Sequence, residues 1–164
     1  ILHRSVAFNL SLTTMRQHRI APGLPLLSGR RRAAWAQEMV RRLTVKTPSV
    51  DTPVQLLSGG NQQKVVVGKW LGRADLQVLI LDEPSRGVDV GARAQIHGMI
   101  RDLARDGLSV IVVSSEAEEL PGLCDRILVM AEGRVVEELT GPAITRQAII
   151  QASYHQARDA RGAV

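Results

Sequence analysis

One stretch constrains this chain more than any other: Val78-Leu79-Ile80-Leu81-Asp82-Glu83-Pro84. A short, unbroken apolar run reads as a strand covered on both faces, and its first polar residues are two adjacent carboxylates. In open α/β sheets ligands collect at the carboxyl ends of strands, which is where this run delivers its acids. Successive strand side chains point opposite ways, so Asp82 and Glu83 are expected to diverge. One can hold Mg²⁺ through its water shell while the other orients and deprotonates an attacking water. Pro84 cannot continue a hydrogen-bond ladder and ends the strand on the acids. Read alone, a solvated Asp-Glu strand end explains the pair as well as catalysis does.

The surroundings of that strand set the fold class. Asp89 to Arg105 carries Ala92, Ile96, Ile100 and Leu103 at helical spacing and stops at Gly107. Leu108 to Val113 and Ile127 to Met130 are further buried strands, and Arg134 to Glu137 an edge strand after a Glu132-Gly133 turn. Glu116 to Leu123 is short and acidic, and Thr145 to Ser153 closes with a helix. Apolar strands alternating with helices predict an α/β fold with a mostly parallel sheet. Upstream of residue 74 the pattern is helical and rich in arginine. Ser5 to Gln17 places Val6, Leu10 and Met15 on one face, extended by Phe8 and Leu12, before Pro22, Gly23 and Pro25. Ser28 caps a second helix burying Ala33, Ala34, Met39, Val40 and Leu43, and a third is expected from Gly60 to Leu71. The expected units are a helical part over 1–73, a sheet core over 74–154 and a loose tail over 155–164.

The start of that third helix is the second chemical feature. Leu57-Ser58-Gly59-Gly60-Asn61-Gln62-Gln63-Lys64 puts a hydroxyl and two glycines at a helix N-terminus. Glycines let backbone approach an anion, and free N–H groups with roughly half a positive charge of helix dipole favour phosphate. A lone Ser-Gly-Gly is weak evidence. Followed by one helix and then the acid-ended strand, it becomes strong.

With these motifs in order, the sequence resembles an ATP-binding cassette (ABC) transporter ATPase. Leu57-Ser58-Gly59-Gly60 matches the family signature, Leu79-Ile80-Leu81-Asp82-Glu83 the Walker B strand, and Ser85-Arg86-Gly87-Val88-Asp89 the D-loop. Asn61-Gln62-Gln63-Lys64 and Arg86-Gly87-Val88-Asp89-Val90-Gly91-Ala92 resemble the second cassette of monosaccharide importers of the ribose, xylose and galactose type. The resemblance covers Ser5 to Ser153 and implies part of a P-loop NTPase-type cassette, a helical subdomain followed by the sheet core. It implies ATP and Mg²⁺ as cofactors, with Asp82 holding the metal through water and Glu83 acting as general base. Such a base commonly contributes about 10²–10⁴ in rate. It further implies that Ser58, Gly59, Gly60 and Gln62 close over a nucleotide held by a second cassette, with Gly87 and Asp89 in the loop crossing that interface. Membrane permease subunits would be direct partners, and a periplasmic sugar-binding protein an indirect one. The place would be the cytoplasmic face of the inner membrane.

Two departures from the family pattern stand out. The position of the switch histidine reads Ser115, which can donate a hydrogen bond but carries no imidazolium charge; weaker hydrolysis at this half is expected. The phosphate-cradling Gly-x-x-x-x-Gly-Lys-Ser/Thr motif does not occur; Gly68-Lys69 is followed by Trp70. In the family that motif lies upstream of the point where Ile1 would enter. The chain is therefore expected to be the C-terminal part of one cassette, binding ATP negligibly by itself.

Composition narrows the remaining classes. The formal charge of +5 invites nucleic acid, yet Phe8, Trp35, Trp70 and Tyr154 are the only aromatics available to stack bases. Arg30, Arg31, Arg32, Arg41 and Arg42 read as a solvated helix face instead, and no nucleic-acid partner is expected. Cys124, the single cysteine, excludes a disulfide framework and reads as a buried small hydrophobe. His3, His18, His97 and His155 share no metal-ligand spacing, and Glu116, Glu118 and Glu119 read as acids at a helix start. Trp35 and Trp70 are expected in the helical core. Two rivals stay open: a soluble ATPase of the same superfamily in translation or DNA repair, and a truncated, non-catalytic remnant.

Overall fold

The computed structural model describes residues 1–21 and 26–159. Pro22, Gly23 and Pro25, expected to break the first helical stretch, lie outside the described residues. The chain forms two compact units, Ile1–Ile111 and Val112–Val164. The change of sequence character near residue 74 falls inside the first of them.

The first unit opens with α1 (Val6–Ser11), capped by Ser5, whose side chain accepts from the Phe8 amide. It is shorter than its apolar stripe suggested, and the chain re-coils as a 3₁₀ turn over Met15–His18. In α2 (Gly29–Arg42), Ser28 caps as expected by accepting from Arg31 N–H. Ala36 and Met39 face inward, whereas Ala34 is exposed. Arg30, Arg31, Arg41 and Arg42 lie on the exposed side. Arg41 pairs with Glu38, and Arg42 with Asp106 at 2.9 Å. Exposed pairs of this kind contribute little each, about 0–1 kcal/mol.

α2 ends in a Schellman arrangement, with Thr44 N–H on Arg41 O and Val45 N–H on Val40 O. The left-handed position is taken by Thr44 at φ 48°, an uncommon place for a β-branched residue. The end of α4 (Val90–Arg105) uses the same arrangement with Gly107 at φ 94°, as the sequence led one to expect.

α3 (Gly59–Leu71) packs on α1 and α4. Gly60 sets its distance from α4: a Cβ there would sit 2.6 Å from the Cβ of Ala92, while one on Gly59 would meet Val88 Cγ1 at an ordinary 3.6 Å. Trp70 departs from expectation, standing 41% exposed with the Lys69 ammonium 4.8 Å from its ring centroid. It lies two residues beyond the buried Gly68, about 200° around the helix, and so faces out. Trp35 is half-buried beside His18.

β1 (Val78–Asp82) pairs with β2 (Ser109–Val113). Its burial corrects the two-faced expectation: Leu79 and Leu81 are buried, but Val78 and Ile80 are 49% and 65% exposed. Ile111 of β2 is likewise exposed. The first unit supplies an apolar cover to one face of β1 and not to the other.

The second unit is a hairpin with a helix on it. β3 (Arg126–Ala131) and β4 (Arg134–Thr140) pair antiparallel around Glu132 and Gly133, both left-handed, so this pair departs from the mostly parallel sheet expected. α5 (Arg146–Asp159) packs on both strands, with Ile127, Val129, Leu139, Ile149 and Ala152 in the core. The tail expected to loosen at His155 instead stays helical to Asp159, since no proline or glycine intervenes; residues 160–164 lie outside the described residues. Residues 116–123 form turns rather than a helix. Cys124 is half-buried against this core, and burial, then Asp125, pushes its thiol pKa up, as befits an inert thiol.

Two outcomes follow from the packing. Gly60→Ala forces α3 off α4 and should cost about 1–3 kcal/mol in chemical denaturation, while Gly59→Ala stays near neutral. Equal effects would contradict the close approach. His18 is buried, 3.1 Å from Thr14 Oγ1, and burial, then Arg32, holds its pKa below the usual 6.5. The unfolded chain then binds the proton more readily, so this contribution is intact above pH 6.5 and is lost as pH falls below it. Denaturation midpoints at pH 7 and pH 5 should show this loss, and His18→Gln should reduce it; an identical loss in both proteins would contradict the assignment.

Candidate functional site

Asp82 is the last residue of β1 and its side chain is exposed, so the strand hands a free carboxylate to solvent. Glu83 leaves the strand with φ 47°, in the left-handed region that non-glycine residues rarely enter, and is half-buried. Such backbone typically costs about 1–3 kcal/mol and persists where its surroundings enforce it. Here Pro84 and Ser85 behind it are buried, and the Arg86 amide closes a turn on the Glu83 carbonyl at 3.1 Å. The change of backbone direction separates the two acids, one exposed at the strand end and one partly enclosed.

The chain then turns again. Val88 N–H reaches Ser85 O at 3.4 Å with Gly87 at φ 76°, the position in such a turn where glycine is least strained. Asp89 follows as the N-cap of α4, its Oδ1 accepting from Ala92 N–H at 2.8 Å. Ala92 is thus both the residue capped by Asp89 and the one that meets Gly60. The turn after the acids and the start of α3 are brought together through Gly59 against Val88 and Gly60 against Ala92.

At the start of α3, Ser58 occupies the N-cap position but makes no capping bond, unlike Ser5, Ser28 and Asp89. Its Oγ instead accepts from Asn61 Nδ2 at 2.8 Å. The first amides of the helix are left without a side-chain acceptor from Ser58, and Ser58 and Gly59 are exposed. An exposed hydroxyl beside free amides at the positive end of a 13-residue helix suits an anion. Gln62 behaves differently: its Nε2 donates back to Leu57 O at 2.8 Å and steadies the entry to the helix.

Two residues here escaped sequence reasoning. Asn61 bridges Ser58 to the loop after α2, its Oδ1 accepting from Lys46 N–H at 2.8 Å. Lys64 is 2% exposed, and its Nζ donates to Thr44 O at 3.1 Å, Thr44 Oγ1 at 3.3 Å and Gln95 Oε1 at 3.0 Å. All three acceptors are neutral; burial, then Lys46, lowers the ammonium pKa. A signal was present: Gly60, Lys64 and Gly68 recur every four residues, and a stripe bounded by glycines is a closely packed face. A lysine inside it must be buried and bonded.

Ser115 lies in the second unit and is exposed. Its neighbour Ser114 accepts from the Glu116 amide at 3.1 Å and donates to Glu119 Oε2 at 3.3 Å. Glu119 is buried and Glu118 pairs with Arg146 at 2.7 Å. Among the described residues no group of three metal-ligating side chains exists and no helix is long and apolar enough to cross a membrane.

No family model matches the sequence. The chain is 45% identical over 150 residues to a ribose import ATP-binding protein (RbsA 2) of Rhizobium meliloti strain 1021, covering 92% of this chain and 28% of that protein. It is 41% identical over 163 residues to an arabinose import ATP-binding protein (AraG) of Burkholderia pseudomallei strain K96243, covering 99% of this chain and 32% of that protein. The chain thus spans about a third or less of the length of these curated relatives. Among solved structures, it matches the post-hydrolysis dimer of the cassette MJ0796 bound to ADP and Pi, with TM-score 0.69 and 23% identity, over 85% of this chain and 58% of that one. It also matches the ADP conformation of the cassette MJ1267, with TM-score 0.67 and 18% identity, over 99% of this chain and 64% of that one. Motif order, the acid-ended β1 and these likenesses agree: the chain is a segment of an ABC-type ATP-binding cassette, related to the sugar-import ATP-binding proteins.

Proposed function

We propose that the chain is part of the ATP-hydrolysing subunit of an ABC importer for a monosaccharide. The observation that carries this reading is its 41–45% identity, over nearly its whole length, to ribose and arabinose import ATP-binding proteins. The proposed segment is the C-terminal part of the second cassette of a two-cassette polypeptide. Its direct partners are the other cassette and membrane permease subunits at the cytoplasmic face, with a periplasmic sugar-binding protein acting beyond them. The exposed apolar side of β1, Val78 and Ile80, supports a larger whole, because strands of such sheets are ordinarily covered on both faces.

In this reading Glu83 is the general base, held by the turn that follows β1 and partly enclosed, so that its carboxylate can take a proton from water. The start of α3, with Ser58, Gly59 and Gly60, supplies a hydroxyl and amides to the terminal phosphate of ATP held by the other cassette. Gln62 keeps that helix entry in place through Leu57. Gly87 and Asp89 shape the loop at the same interface, and Ser115 occupies the switch position with a neutral hydroxyl. Asp82 suits Mg²⁺ bound through water: it offers one exposed carboxylate, and magnesium retains several waters and takes further oxygens from phosphates. When bound, the ion neutralises phosphate charge; the residues of this chain position water and phosphate around it. Phosphoryl transfer needs mainly that positioning and charge stabilisation. Without a phosphate loop of its own, the isolated chain has no cradle for ATP.

In the full-length polypeptide assembled with its membrane subunits, Glu83→Gln should lower single-turnover hydrolysis at this site by about 10²–10⁴ while ATP binding persists. A rate within threefold of the unmodified protein would remove Glu83 from the role. Uptake of labelled ribose and arabinose into vesicles carrying the same assembly tests the import assignment; ATP-independent uptake, or none of any monosaccharide, would contradict it.

A further inference from the structure

We infer that Asn61 is a positioning residue that makes the Ser58 hydroxyl a hydrogen-bond donor toward a phosphate oxygen. The inference deepens the reading above and rests on Ser58 being a phosphate contact. The polarity of the contact follows from the order of donors. Lys46 N–H, 2.8 Å from the Asn61 side chain, can only donate, so the atom facing it must be the carbonyl oxygen Oδ1. That fixes the amide orientation and turns Nδ2 to Ser58 Oγ, also at 2.8 Å. An amide nitrogen only donates, so Oγ accepts there and its own proton remains for another partner. Ser58 is exposed, and its hydroxyl finds no acceptor among the described residues.

An ordinary N-cap serine accepts from an amide of its own helix, as Ser28 does from Arg31. Asn61 takes that place at Ser58, so the first amides of α3 receive no acceptor from Ser58 and, like its hydroxyl proton, stay available to a ligand. All of these groups are donors, and a phosphate oxygen is an acceptor only. The anchor is rigid as well. Lys46 lies two residues past Thr44, whose carbonyl and hydroxyl are gripped by buried Lys64, one helical turn beyond Asn61. Asn61 and Lys64 together hold the 44–46 loop, and the loop in return holds the Asn61 amide.

The test is a double-mutant cycle on ATP hydrolysis by the full-length polypeptide assembled with its membrane subunits. Ser58→Ala should lower kcat/KM by about 10- to 100-fold, as expected for losing a hydrogen bond to a charged group. Asn61→Ala should lower it by about 3- to 10-fold, because the hydroxyl is free to rotate. Asn61→Asp, nearly isosteric, should be at least as damaging: its carboxylate accepts from Lys46 N–H and then from the Ser58 hydroxyl, drawing the proton away from phosphate. In the Ser58→Ala background the effect of Asn61→Ala should shrink to the smaller cost of loosening the 44–46 loop, and that of Asn61→Asp to its charge repulsion. If Asn61→Ala costs the same factor in both backgrounds, Asn61 only supports the fold and the inference is overturned. Wild-type rates for both Asn61 variants beside a crippled Ser58→Ala would overturn it too. An unaffected Ser58→Ala would instead refute the phosphate contact on which the inference rests.

Discussion

The face of α3 that carries Gly60, Lys64 and Gly68 is what the rest of the first unit is built around. Gly60 lets the helix start touch α4 at Ala92, and a Cβ at Gly68 would meet Leu43 and Leu10 within 2.7 Å. Between them lies an ammonium removed from water. Burying a charge costs several kcal/mol unless it is well bonded, and Lys64 has three acceptors from two different elements. Two come from Thr44, just past the end of α2, where the helix dipole is negative and a cation is favoured. The same bonds hold Thr44 in a backbone conformation that its β-branched side chain disfavours. Strain at the end of one helix and a buried charge in another thus stabilise each other.

The exposed hydroxyl and amides at the start of α3 are not on a loose loop; they sit on a helix locked to α4, whose cap Asp89 closes the turn leading from Glu83. Acid-ended strand, turn and the exposed start of α3 are therefore parts of one packed unit. In the composite site of two cassettes proposed above, such rigidity would let closure of the interface deliver donors to phosphate without reorganising them, which is where electrostatic preorganisation gains most.

Much of this was legible in the residues. Ser28 and Asp89 announce helix starts, Gly107 a helix end, and the run before Asp82-Glu83 a strand. The misreadings share a physical cause, namely that a one-dimensional pattern states what a segment tolerates and not what lies against it. Val78 and Ile80 read as buried because the run is apolar, yet the first unit covers only the side of Leu79 and Leu81. Thr44 gives no warning of a left-handed cap, since the compensation comes from Lys64, 20 residues away. Asn61 looked like part of a motif, but its role depends on Lys46 N–H, a backbone group invisible to side-chain patterns. For Trp70 and Lys64 the sequence does carry the signal: the spacing of Gly60 and Gly68 tells which side of α3 is inside.

On the reading proposed above, the start of α3 takes phosphate through its amides and the Ser58 hydroxyl. Hydrogen exchange of the full-length, assembled polypeptide, with and without a non-hydrolysable ATP analogue and Mg²⁺, tests it most directly. Exchange should slow in the peptide spanning residues 58–62, with little change across α5. Unchanged exchange at residues 58–62, under conditions where the analogue is shown to be bound, would contradict it.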